Sequence, residues 1–87
     1  MTRTDLTSLP EIGKVTAEQL RAVGIPDTET FRAVGAREAF LRIRSQLDPG
    51  ACIQLLTGLE AAVQGVRAGD LSPQIRADLN RWKKSLG

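Results

Sequence analysis

Between Ala51 and Val66 the chain carries its most apolar helical stretch, with Cys52, Leu55, Leu56, Leu59, Val63 and Val66 on one wide face. No single neighbour covers a face that wide. It predicts a central helix packed by several others, and the remainder of the chain has to supply them. A short first helix is expected over Asp5 to Ser8, capped by Thr4 or Asp5. Leu9-Pro10-Glu11-Ile12-Gly13 reads as a tight turn, because Pro10 fixes its own φ and drives Leu9 out of the helical region. A helix resumes from Thr16 to Val23, with Ala17, Leu20 and Val23 on one face, and ends at Gly24 as a left-handed cap before Ile25-Pro26. Asp27 or Thr28 opens the next helix, which carries Phe31 and Val34 and stops at Gly35.

Ala36 to Gln46 follows, striped by Ala39, Phe40, Ile43 and Leu47, with Glu38 and Arg42 in the favourable i,i+4 order on its outer side. Asp48-Pro49-Gly50 turns the chain into the central helix, and Arg67 to Leu71 leads out of it. Ser72-Pro73 is a helix-start signal, N-cap serine then proline at the first helical position. Ile75, Leu79, Trp82 and Leu86 then repeat at helical spacing almost to Gly87. No segment alternates with period two. The expected fold is all-α, a compact bundle of five or six short helices, with residues 1–87 forming one domain.

Missing residue types remove most chemistry. The 87 residues contain no His and no Tyr, and Cys52 is the sole cysteine. A zinc site takes about three or four nitrogen or sulfur ligands, which one thiol does not supply. Ser-His and Cys-His nucleophiles are absent as well. These gaps predict a protein that is not an enzyme, holds no metal and uses no small-molecule cofactor. A lone cysteine makes no internal disulfide, which fits a reducing cytoplasm. No run of 18 apolar residues is present, and Met1 to Asp5 leads into no apolar signal region, so neither membrane nor secretion is expected. Cys52 itself is expected to be a buried small hydrophobe, and Glu60 to pair with Arg42 or Arg44. The net charge of +2 permits nucleic acid without demanding it, although nine of the twelve cations are Arg, a good match to phosphate forks.

The segment Leu9-Pro10-Glu11-Ile12-Gly13-Lys14-Val15-Thr16-Ala17 has the form of a helix-hairpin-helix motif, a short helix, a glycine-containing turn and a second helix. Such a turn presents backbone N–H groups at a helix N-terminus, where they and the helix dipole hold a phosphate oxygen. Gly13 removes a Cβ that blocks close approach or forbids positive φ, Lys14 adds a full charge, Val15 contributes its amide, and Thr16 adds a hydroxyl. Glu11 stands where such hairpins commonly have glycine, and its carboxylate is expected to work against phosphate. The competing reading is a turn that only connects helices. A P-loop is excluded, because Ser8 stands where its first glycine belongs and Val15 where Ser or Thr must follow the lysine. A fainter echo lies 22 residues on, where Phe31, Val34, Gly35 and Ala39 match Leu9, Ile12, Gly13 and Ala17; a second hairpin there brings Arg37 beside Lys14. The last helix carries Arg76, Asn80, Lys83 and Lys84 on a face opposite Trp82, either a contact for an acidic partner or a solvated face; Trp82 itself is expected in the core.

Taken in order, several short pieces resemble the C-terminal domain of the TfoX/Sxy family, bacterial regulators of DNA-uptake competence. They are the Leu9-to-Lys14 turn, Gly35-Ala36-x-Glu38-Ala39-Phe40 with Arg42 and Arg44, Cys52-x-x-Leu55, Leu59 to Ala62, Gly65-Val66 and Leu71-Ser72-Pro73. The resemblance covers about Leu9 to Leu79 and implies an all-helical, helix-hairpin-helix-like domain with no known enzymatic role. Full-length regulators typically carry an α/β domain that has no counterpart here. Two functions are expected. One is weak, sequence-independent binding of the DNA phosphate backbone through Gly13, Lys14, Val15, Thr16 and Arg37, in support of transcription regulation; the other is a protein-interaction domain for a transcription-regulatory partner, with purely structural hairpins.

Overall fold

A computed structural model describes residues 5–86. Asp5 opens a single 3-10 turn, Leu6–Ser8, by accepting the Thr7 N–H at 2.9 Å. The five α-helices that follow are α1 (Lys14–Ala22), α2 (Thr28–Val34), α3 (Ala36–Gln46), α4 (Ile53–Gln64) and α5 (Pro73–Ser85), with a second 3-10 turn at Ala68–Asp70. No strand occurs among the described residues. The expected first helix is therefore one tight turn, and Thr4, the alternative cap, lies outside the described residues.

Local chemistry sets the boundaries. Gly24 (φ 86°) and Gly65 (φ 75°) both stand in the left-handed region. Each closes a helix with the same hydrogen-bond pair: Ile25 N–H to Leu20 O and Gly24 N–H to Arg21 O after α1, Val66 N–H to Ala61 O and Gly65 N–H to Ala62 O after α4. Asp27 caps α2 through the Thr30 N–H at 2.8 Å, and Ser72 caps α5 through the Ile75 N–H at 3.2 Å. Gly35 (φ 88°) ends α2 and starts α3 in one residue.

Helix α4 holds the middle of the molecule, packed by α3, α5 and the second 3-10 turn, while α3 also meets α1 and α2. Phe31, Phe40, Leu20, Ile25, Ile43, Leu56, Leu59 and Leu79 are fully buried or nearly so. Trp82 packs on Phe40 in a T-shaped pair, 6.1 Å between centroids, and joins the core as a half-buried flank. The Cα radius of gyration, 12.1 Å, agrees with about 12 Å for one compact unit of this length. Among the described residues no buried side-chain polar atom lacks a hydrogen bond.

One expectation about α4 fails. The helix begins at Ile53, two residues after Ala51, so Cys52 is its N-cap in an extended conformation (φ −103°, ψ 171°) rather than part of the apolar face. Its thiol is exposed, donating to Gln54 Oε1 at 3.3 Å. Glu60 accepts from the Gln64 amide at 2.7 Å one turn on, whereas Arg42 pairs with Glu38 at 2.9 Å and donates to the Val23 carbonyl. Arg42 thereby fastens α3 to the end of α1.

Candidate nucleic-acid interface

Leu9 and Ile12 are buried and anchor the hairpin turn, leaving Glu11, Gly13, Lys14 and Val15 on the surface. Helix α1 starts at Lys14, two residues earlier than the spacing predicts, with Gly13 as N-cap. That shift makes Lys14, Val15 and Thr16 the first three helical residues, whose N–H groups have no partner inside the helix. No side chain caps them; the first bonded amide is that of Ala17, 3.0 Å from Gly13 O. Lys14 is exposed beside them, Val15 is 70% exposed, and the Thr16 side chain is half-buried. The turn thus offers three open amides, a dipole end and one ammonium, a combination suited to an anion.

The backbone of the turn differs from expectation. Gly13 has φ −89° and ψ −175°, extended geometry open to any residue, and a Cβ built there meets nothing within 4 Å. The left-handed residue is Glu11, at φ 67°. This explains why glycine suits that position. The Glu11 carboxylate leaves the turn for the far side, where Oε2 accepts the Ala68 N–H at 3.0 Å, 57 residues along the chain. The Ala68 carbonyl in turn accepts from Arg76. Arg76 is thus engaged with the chain rather than displayed on a free face of α5. The Glu11 stem passes over Gly58 of α4, whose missing Cβ would stand 3.8 Å from that of Glu11.

A cleft of about 370 Å³ opens between the hairpin, α4 and α5, lined by Glu11, Thr57, Gly58, Ala68, Arg76 and Asn80 among others. Its polar groups are occupied: the Thr57 hydroxyl donates to Ile53 O and the Asn80 amide to Arg76 O. No group of acidic or sulfur ligands able to hold a metal occurs among the described residues, and no helix there is long and apolar enough to cross a membrane.

The echo at offset 22 survives in burial but not in backbone. Gly13 and Gly35 are both N-caps, and Ala17 and Ala39 both bond back to them while fully buried. Gly35, however, is a one-residue corner at φ 88°, directly between two α-helices, whereas the first hairpin uses a five-residue turn after a 3-10 turn. Arg37 lies with its guanidinium 5.6 Å from the Trp82 ring centroid, a cation–π contact. Sequence reasoning missed Gly58, Ala68 and the role of Glu11. Of these only Gly58 carried a visible signal, since a glycine inside a helix ordinarily has a packing reason.

The sequence matches the TfoX C-terminal domain family over residues 2–83. It is 33% identical over 85 residues to Protein Sxy of Escherichia coli strain K12, covering 98% of this chain and 40% of that protein. The chain thus spans about two fifths of the curated relative's length. Two crystal structures from Listeria monocytogenes superpose at a TM-score of 0.89. The first, an uncharacterized protein in a triclinic form, is 40% identical over 93% of this chain and 91% of that one. The second, a protein of unknown function in a tetragonal form, is 39% identical over 94% and 99%.

Proposed function

This chain belongs to the TfoX C-terminal domain family, and on that premise we propose that it is a non-enzymatic, cytoplasmic helix-hairpin-helix-like module that binds the DNA backbone weakly and without sequence preference, in support of a competence or transcription regulatory complex. One observation supports this most: the amides of Lys14, Val15 and Thr16 are open at the start of α1, beside an exposed ammonium. Gly13 leaves the approach clear, the three N–H groups and Lys14 hold a phosphate oxygen, and Arg37 adds an outlying charge that its aromatic neighbour does not neutralise. The contact is small. Two or three phosphates give a log–log salt slope of about −2 to −3, and contacts to phosphate carry no base information.

The test is a titration of labelled duplex DNA at low salt, followed by anisotropy, with wild type and Lys14→Glu. Wild type is expected to bind and the variant to lose most of that binding without losing stability, because Lys14 is exposed. Equal binding by the two, or none by wild type, refutes the proposal. A second reading, a docking domain for a regulatory protein, is favoured by the engagement of Arg37 with Trp82 and of Arg76 with Ala68. A stoichiometric protein partner that resists nuclease selects it.

A further inference from the structure

Resting on the phosphate-binding reading of α1, we propose that Glu11 is the positioning residue of that turn and acts through the peptide of Ala68. Three observations converge. Glu11 takes a left-handed conformation (φ 67°) that side chains other than Gly, Asn and Asp seldom adopt, so something outside the turn compensates it. Its carboxylate is spent on one backbone amide, the first of the 3-10 turn Ala68–Asp70, rather than on the amides three residues along its own chain. The carbonyl of the same residue, on the next peptide, is gripped by Arg76 from α5, so Ala68 is held from both sides.

The geometry solves a conflict built into the hairpin. A carboxylate three residues before the Lys14 amide weakens anion binding if it is free to swing towards it. Tied to Ala68, it fixes the turn from behind, and its charge is partly compensated by a charge-assisted hydrogen bond. The linker between α4 and α5 thereby becomes part of the site, although it lies more than fifty residues from the motif.

Glu11→Gln and Glu11→Asn separate reach from charge. Both remove the carboxylate; glutamine keeps an acceptor at the same distance, whereas asparagine tolerates positive φ but is one methylene short. Amide spectra of the free proteins are the first readout. Asn is expected to unprotect Ala68 and shift the Lys14, Val15 and Thr16 amides, and Gln to leave all four near wild type. Duplex DNA is the second: the Asn variant binds about three- to tenfold more weakly than the Gln variant, as expected for one lost hydrogen bond. If the α1 amides of Glu11→Asn coincide with those of wild type, the positioning role is overturned whatever DNA does. If they move and Gln restores them while wild type binds no DNA, the positioning of the turn stands and only the nucleic-acid reading fails. Where wild type does bind DNA, equal affinity of the two variants also overturns the role.

Discussion

Glu11 and Gly13 divide the work of the turn in an order opposite to the one their residue types suggest. The glycine sits in extended backbone with open space around it, and the glutamate bears the positive φ. A third residue, Gly58, lies on α4 beneath the Glu11 stem. Its absent Cβ is not a steric necessity, because the nearest atom would be at 3.8 Å, ordinary van der Waals contact. Glycine inside a helix costs about 0.8–1 kcal/mol relative to alanine. Gly58→Ala is therefore expected to stabilise the protein by about that amount, read as a rise in the urea midpoint. A fall instead shows that the Glu11 stem needs the full width of the groove. None of this pairing was legible in the sequence, since the partner of Glu11 is set by tertiary packing and lies 57 positions away. The turn itself was legible, because Pro10, Gly13 and the buried Leu9 and Ile12 are local signals.

Elements were easiest to read where a side chain or a glycine marks their ends. Gly24, Asp27, Gly35 and the Ser72-Pro73 pair all stand at the predicted boundaries. Helix α4 was misplaced at its start because Cys52 makes no capping hydrogen bond, and apolarity alone does not distinguish a cap from a first turn. The carboxylate caps also respond to pH. Asp27 has its pKa held below the usual carboxylate value, first by the Thr30 backbone N–H and then by the Thr30 side chain; Asp5 is lowered likewise, chiefly by the Thr7 N–H. A lowered folded-state pKa means that the stabilisation is complete above the unfolded-state value and is lost as pH falls through the folded one. Asp27→Ala is expected to lower the thermal midpoint at neutral pH, with the gap to wild type closing on acidification below the ordinary carboxylate range. Asp27→Asn, which caps without titrating, keeps its advantage over Ala across that range. A wild-type advantage that does not change with pH overturns the assignment of the cap.

Across the whole molecule, the hairpin turn and the packed interior are separable, and α5 shows how. Its first turn holds Ala68 through Arg76, behind the Glu11 hairpin, while Trp82 lies six residues on, about 9 Å along the axis, under Arg37 and against Phe40. Glu11 and Arg37 are therefore tied to different stretches of α5, a separation that no reading of offset repeats supplies. The interior has the opposite character from the turn. Phe40 is fully buried and meets the only tryptophan edge to face. Truncating such a ring costs about 3–5 kcal/mol, against a total of about 4–13 kcal/mol for 87 residues. Phe40→Ala is thus expected to consume a large share of the stability, with a markedly lower urea midpoint followed by Trp82 emission; a loss below about 1 kcal/mol would place Phe40 outside the close-packed core. A substitution of that kind weakens any function by unfolding the chain. Lys14→Glu and the Glu11 variants act on exposed side chains, so a binding change there, at unaltered urea midpoint, belongs to the turn itself.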